Sequence, residues 1–181
     1  MPTMPRPPLP NLPELPDLLQ PGLRLVFVGY NPSVPAARIG HYYAGKQNHF
    51  YPLLASSGLT PRVLTPEEDG LLAGFGIGCT DLCKTPTAQA AHLPAGMLRA
   101  GGDELRAKLE RFAPRWVCFN GLGVFRAYAG RPPDGYGPQP ETIGASRVFV
   151  APSTSPANNG LMAEREAAFR LLAATVGAHA S

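Results

Sequence analysis

Apolar positions along the chain fall into two kinds of run. Short, nearly continuous ones rich in β-branched and aromatic residues are Leu23-Arg-Leu-Val-Phe-Val28, Arg115-Trp-Val-Cys-Phe-Asn120 and Arg147-Val-Phe-Val-Ala151. Continuous rather than alternating hydrophobicity marks strands covered on both faces. Phe75 to Thr80 is a shorter apolar segment with glycines, which predicts a small strand leading into Asp81. The second kind recurs with helical spacing. Leu105, Leu109 and Phe112 share one face of 102–112, and Met162, Phe169, Leu172 and Val176 one stripe of 160–176. Shorter helices are predicted over His49 to Ser57, stopped by Gly58, and over Leu122 to Tyr128. Thr65-Pro66-Glu67-Glu68 reads as a further helix start, with a hydroxyl cap, a first-turn proline and acids at the positive helix end. Residues 30–48, 130–144 and 152–159 read as loops. Strands at 23–28, 115–120 and 146–151, each followed by loop and helix, predict a single three-layer α/β domain. Its central sheet is mostly parallel, with helices on both faces. Ligands bind such sheets beyond the carboxyl ends of the strands. The stretches to read for chemistry are therefore 29–48, 80–87, 120–123 and 152–159.

Composition changes this picture at one end only. The 22 prolines and 20 glycines make about 23% of the 181 residues, against a usual sum of roughly 12%. Eight of the prolines fall in residues 1–22, which predicts a flexible arm there and a folded domain over 23–181. A hydrophobic content of 44% excludes a disordered chain. No apolar run is long enough to span a bilayer and none resembles a signal core, so the expectation is a cytoplasmic protein with no membrane partner. Cys79, Cys83 and Cys118 are too few for a four-thiolate iron–sulfur site and fit a reducing compartment. Cys79, Cys83 and His92 have the residue types of metal ligands, but buried apolar thiols are the ordinary reading and no metal is expected. A net charge of +3 is compatible with a polyanionic partner without establishing one.

Four loops carry residues suited to chemistry. In Gly29-Tyr30-Asn31-Pro32-Ser33, glycine permits close backbone approach, and Asn31 can hold a water or a base edge, or simply close an Asx turn. No phosphate-loop pattern is present. In Arg38 to Tyr51, four aromatics alternate with Arg38, His41, Lys46 and His49, a pattern that suits base stacking beside phosphate contacts. Phe50 and Tyr51 read as core residues of the following helix, whereas Tyr42 and Tyr43 lie among loop glycines. Of all the carboxylates, only Asp81 directly follows an apolar strand-like segment; it is either a functional carboxylate or a helix cap. Pro152 to Gly160 is rich in hydroxyls and amides, and either holds phosphate or caps the last helix.

GLRLVFVGYNPS, NHFY, GIGCTDLCKTPT, GGDELRAKLERFAPRWVCFNG and PSTSPAN occur in that order. Together they resemble the mismatch-specific uracil-DNA glycosylases and the related thymine-DNA glycosylases over about residues 22–176. The resemblance implies a monofunctional DNA glycosylase that flips uracil, preferably mispaired, out of DNA. It would hydrolyse the N-glycosidic bond by water attack, without a cofactor, to start base-excision repair. The implied partner is double-stranded DNA containing uracil or a related damaged base, with single-stranded DNA as a second candidate, bound by a monomer. By resemblance Asn31 positions the hydrolytic water, and Gly29, Tyr30, Ser33, Tyr43 and Asn48 surround the base. Ser153, Thr154, Ser155, Pro156, Ala157 and Asn158 form the loop that enters the duplex. Two departures stand out. Asn31 cannot take a proton where many uracil glycosylases carry Asp, and Asp81 stands where relatives show a non-acidic residue. The hypothesis is that Asp81 activates the water or stabilises the sugar cation. The entering loop offers Pro156, Ala157 and Asn158 in place of leucine or arginine, which predicts weak discrimination of the opposite base. The rival reading is a non-catalytic nucleic-acid-binding α/β module built on Tyr42, Tyr43 and the basic loop.

Overall fold

The computed structural model describes residues 12–88 and 93–177; His92 lies outside them, as do residues 1–11 of the expected arm. Its elements are β1 (Leu25–Gly29), α1 (Val34–Ile39), α2 (Phe50–Ser57), a run of 3-10 turns (Pro66–Phe75) and β2 (Ile77–Asp81). They continue through α3 (Ala95–Phe112), β3 (Trp116–Asn120), α4 (Leu122–Ala129), β4 (Gly137–Ile143) and β5 (Ser146–Ala151). A short 3-10 segment (Pro156–Leu161) then leads into α5 (Met162–Val176). The five strands form one sheet in the order β2-β1-β3-β5-β4. All neighbours are parallel except β4, which lies antiparallel on β5. The predicted α/β class and mostly parallel sheet are thus present.

Alternation along the strands divides the core into two layers. Leu25, Phe27, Cys118, Phe149 and Ala151 pack with Phe50, Leu54, Phe169 and Leu172 of α2 and α5. Val26, Val28, Val117, Phe119, Val148 and Val150 pack with Leu105 and Leu109 of α3 and with Val124 and Phe125 of α4. Strands apolar at every position are what a sheet covered on both faces requires. Cys79, Cys83 and Cys118 are buried free thiols. Among the described residues no helix is long and apolar enough to cross a membrane.

α1, β4 and α3 differ most from expectation, each for a local reason. Inside the loop predicted over 30–48, α1 forms because the Ser33 hydroxyl accepts from the Ala36 amide at 3.2 Å and a proline sits in the first turn. β4 occupies part of the loop predicted over 130–144. Its sequence, GPQPETI, carries two prolines that only an edge strand tolerates. α3 starts at Ala95, seven residues ahead of the predicted start, and runs through Gly101 and Gly102. A side chain at Gly101 would collide with the Leu82 carbonyl oxygen, so glycine here permits close packing instead of ending the helix.

The described part of the arm expected over 1–22 is packed. Leu18 exchanges two backbone hydrogen bonds with Cys79 of β2, at 2.9 and 3.1 Å. Leu15 is 2% exposed in the core layer formed with α2 and α5. Asp17 is bonded to Thr80, Lys84 and Lys108.

Candidate active site

The order of the sheet reverses between β1 and β3. From there the chain builds outward to β2 on one side and to β5 on the other. The carboxyl ends of the strands open a crevice at such a point. A cavity of about 550 Å³ lies there, lined among others by Gly29, Asn31, Tyr43, Asp81, Asn120 and Ser153.

Asp81 is the last residue of β2 and pairs in register with Gly29, the last of β1. No helix follows it before Ala95 among the described residues, so the helix-cap reading does not fit. The residue is 5% exposed, and its Oδ2 has no hydrogen-bond partner. Gly29 makes room for it: a Cβ on Gly29 would lie 2.6 Å from Asp81 Oδ1 and 3.4 Å from the Tyr43 hydroxyl. The Tyr43 hydroxyl is also buried without a hydrogen bond, near the Asn120 amide but outside bonding geometry. Buried polar atoms without partners are rare in folded proteins and costly. The unpartnered Tyr43 hydroxyl and Asp81 Oδ1 lie beside the same glycine, so a polar atom placed there would meet both residues. Burial raises the Asp81 carboxyl to about 7; Lys84 opposes the rise, Asp17 adds to it and Lys108 opposes it.

Asn31 is held differently from a simple turn residue. Its Nδ2 donates to the Thr85 carbonyl at 3.0 Å and to Thr87 Oγ1 at 2.7 Å, tying the loop after β1 to the loop after β2. With both amide hydrogens engaged, Oδ1 is its remaining polar atom. The Tyr43 ring stacks on Phe50 at 4.0 Å between centroids, and Phe50 meets Phe27 of β1 edge-on at 5.0 Å. The Tyr43 backbone sits at φ 55°, a left-handed conformation that is uncommon for a bulky residue and costs energy.

The structure assigns local tasks to several other predicted residues. Ser33 caps α1, and Asn48 Oδ1 accepts from the Phe50 amide at 3.0 Å at the start of α2; both also line the cavity. Tyr30 lines the cavity and packs beside Gly123 of α4. Tyr42 is a core residue, its amide bonded to Asp69 and its hydroxyl to Lys84. It is therefore closed to base stacking, which weakens the rival binding-module reading.

The loop after β5 is pinned from beneath. Thr154 is 1% exposed. Its hydroxyl accepts from Asn120 Nδ2 and its amide donates to Asn120 Oδ1, both at 3.0 Å. It thus secures the loop from inside and presents no surface to a duplex. Arg165, wholly buried on α5, donates through Nε to the Ser153 carbonyl at 2.7 Å and through Nη2 to the Ser155 carbonyl at 2.6 Å. Ser155 caps the 3-10 segment that begins at Pro156. Ser153, Ser155 and Pro156 keep partial exposure and Ala157 is exposed, while the Asn158 side chain lies outside the described residues. Asn120 and Arg165 carry no local signal of these tasks, because their partners are remote in sequence.

A pocket at the switch point of a parallel sheet, with a buried carboxylate that lacks a hydrogen bond at Oδ2 and a pinned loop at its rim, is a site of the α/β hydrolytic kind. The model of the uracil DNA glycosylase superfamily matches residues 16–176, and the chain belongs to that superfamily. It is accordingly a hydrolase of N-glycosyl bonds, a DNA glycosylase that acts in base-excision repair on DNA containing uracil. The match begins at residue 16, inside the expected arm, in keeping with the packing of Asp17 and Leu18.

Proposed function

We propose that this chain is a monofunctional, mismatch-directed uracil-DNA glycosylase in which Asp81 and Asn31 share the hydrolytic water. The observation that carries the reading is the buried Asp81 carboxylate, without a hydrogen bond at Oδ2 and in register with Gly29 at the cavity. A flipped uracil fills the cavity with one face toward Tyr43. Cleavage of the bond between C1′ and the base sends its electron pair to the base, leaving oxocarbenium character on the sugar. Water then attacks C1′, and its proton passes to Asp81. Asn31 Oδ1 orients the water, since its amide hydrogens are committed to Thr85 and Thr87. A carboxyl group that titrates near 7 is well matched to accepting a proton at neutral pH. The anionic form also offsets positive charge developing on the sugar.

Preference for mispaired uracil arises from the duplex in this reading. Flipping costs a few kcal/mol, and less when the base is mispaired. Pro156 and Ala157 fill the vacated space as small or rigid wedges, and the sequence Pro156-Ala157-Asn158 offers fewer groups for reading the opposite guanine than a leucine or arginine wedge. The protein acts as a monomer on double-stranded DNA, with single-stranded DNA as a second substrate.

Incubation with duplex oligonucleotides carrying uracil opposite guanine, adenine or no base tests this. Free uracil and an alkali-labile site are expected from all three, fastest where the pair is weakest. An intact strand that is merely bound would favour the binding module, and an absolute requirement for guanine would contradict the proposed origin of the preference.

A further inference from the structure

Behind Asp81 lies a compact set of charges contributed by three separate parts of the chain. Lys84 Nζ is 3.8 Å from Asp81 Oδ2, 2.9 Å from Asp17 Oδ1 and 3.1 Å from the Tyr42 hydroxyl. It also lies over the Tyr42 ring, 5.6 Å from the centroid. Asp17 Oδ1 receives a second bond from Thr80 Oγ1 at 2.7 Å, and its Oδ2 pairs with Lys108 of α3 at 2.8 Å. Lys84 is thus held from several sides, with its side chain only 13% exposed. Two ammonium groups meet one fully engaged carboxylate, Asp17. The second positive charge is matched only when Asp81 is also a carboxylate.

The other titratable groups near Asp81 do not supply that balance. Burial pushes the Tyr42 and Tyr43 hydroxyls and the Cys79 thiol well above their ordinary ranges, so all three stay neutral at physiological pH. Lys84 is the one cation within 4 Å of Asp81 among the described residues.

We propose that Lys84, clamped by Asp17 of the N-terminal segment, is a positioning residue that keeps the Asp81 carboxylate charged and oriented for uracil excision. This rests on the reading of Asp81 as the group that acts on water or the sugar cation. It makes residues before the first strand of the sheet part of the catalytic apparatus. The clamp is needed because a free lysine would extend into solvent, where its charge is screened. Buried beside Asp81 it acts at low effective dielectric and offsets the desolvation of the carboxylate.

The test is single-turnover excision of uracil opposite guanine, measured from about pH 5.5 to about pH 9.5. The proteins are the unaltered chain, Lys84→Met, Lys84→Gln, Lys84→Arg and Asp81→Asn. The unaltered protein should gain activity through an acid limb centred near 7. In Lys84→Met and Lys84→Gln that limb moves up by about one pH unit or more. The rate at neutral pH then falls roughly tenfold and recovers towards pH 9.5, because below its midpoint the charged fraction drops about tenfold for each pH unit. Lys84→Arg restores the charge and keeps the limb within a few tenths of a pH unit. Asp81→Asn shows a low rate with no acid limb. An unmoved limb in the Met and Gln variants overturns the proposal, as does a loss that is uniform across pH. Failure of arginine to rescue also overturns it. If Asp81→Asn keeps both rate and limb, the reading of Asp81 itself is wrong. If Asp81→Asn is inactive while the Lys84 variants keep their limb, only the role of Lys84 is wrong. Should Lys84→Met not fold, Lys84→Gln retains hydrogen bonding to Asp17 and Tyr42 and carries the comparison.

Discussion

Replacing Asp81 by Asn should strengthen the fold while it disables excision. The carboxyl group titrates near 7 in the folded protein, against 3.8 for an unperturbed aspartate. Between those values the folded protein holds a proton that the unfolded chain has released. The folded state therefore binds more protons, and its stability falls as pH rises from about 4 to about 7, then levels off. At about 1.36 kcal/mol per pH unit, the interval between the two titration points gives a penalty of about 4 kcal/mol above pH 8. That is a large share of the roughly 5–15 kcal/mol typical of a domain. The cause is burial of a carboxylate whose Oδ2 has no hydrogen-bond partner. Asn keeps the shape of Asp without the charge and escapes the penalty. Urea unfolding of both proteins between about pH 5 and about pH 8.5 gives the difference directly. The advantage of Asp81→Asn should grow by roughly 3 kcal/mol across that range and be flat above it. An advantage that stays constant, or a variant less stable at alkaline pH, would show that the Asp81 carboxylate carries no such burial penalty.

Other substitutions separate the parts of the site. Gly29→Ala should lower single-turnover excision at least tenfold with a modest change in melting temperature, because the new Cβ would lie 2.6 Å from Asp81 Oδ1; an unchanged rate would show that the carboxylate can move without consequence. Arg165→Met leaves the Ser153 and Ser155 carbonyls without their charged donor and should cost about 3 kcal/mol in urea unfolding, with weaker binding of abasic duplex. Asp17 is opposed by burial but held below its ordinary range by Lys108, Lys84 and Thr80. Its stabilisation is therefore present above about pH 4 and lost as pH falls through the lowered value, so Asp17→Asn should melt earlier at neutral pH, by a margin that shrinks as the solution is made acidic.

What could be read from the chain follows from how local each signal is. β1, β3 and β5 are central strands, and burial on both faces writes itself into continuous runs such as LVFVG and WVCFN. β4 has one paired edge and mixes glycine, proline and polar residues, so its strand character comes from β5 and not from its own sequence. The first turns of α3 were hidden because Gly101 serves close packing against Leu82, a contact that composition cannot announce. At the site, the sequence leaves Asp81 as a functional carboxylate or a helix cap, and its position at the end of β2 with no helix directly after it removes the cap. Tyr43 was legible because loop aromatics beside glycines seldom serve the core, although its neighbour Tyr42 does. Ser33 and Thr154 look like reading groups in sequence, yet one caps a helix and the other is locked to Asn120. Asp17, Lys84 and Arg165 take their meaning from partners that only the fold brings together. Asp17 and Lys84 lie 67 residues apart in the chain. The proline-rich start concealed a packed segment because its leucines, Leu15 and Leu18 among them, are interleaved with prolines that suit neither a helix interior nor a central strand.

In the proposed mechanism Asp81 is the group through which this superfamily member hydrolyses the bond between uracil and deoxyribose. Single-turnover excision from a duplex with uracil opposite guanine, by the unaltered protein and by Asp81→Asn at about pH 8, tests it most directly. A fall of about 100-fold or more is expected, with the variant still folded and still binding abasic duplex. Excision by Asp81→Asn at the rate of the unaltered protein would contradict it.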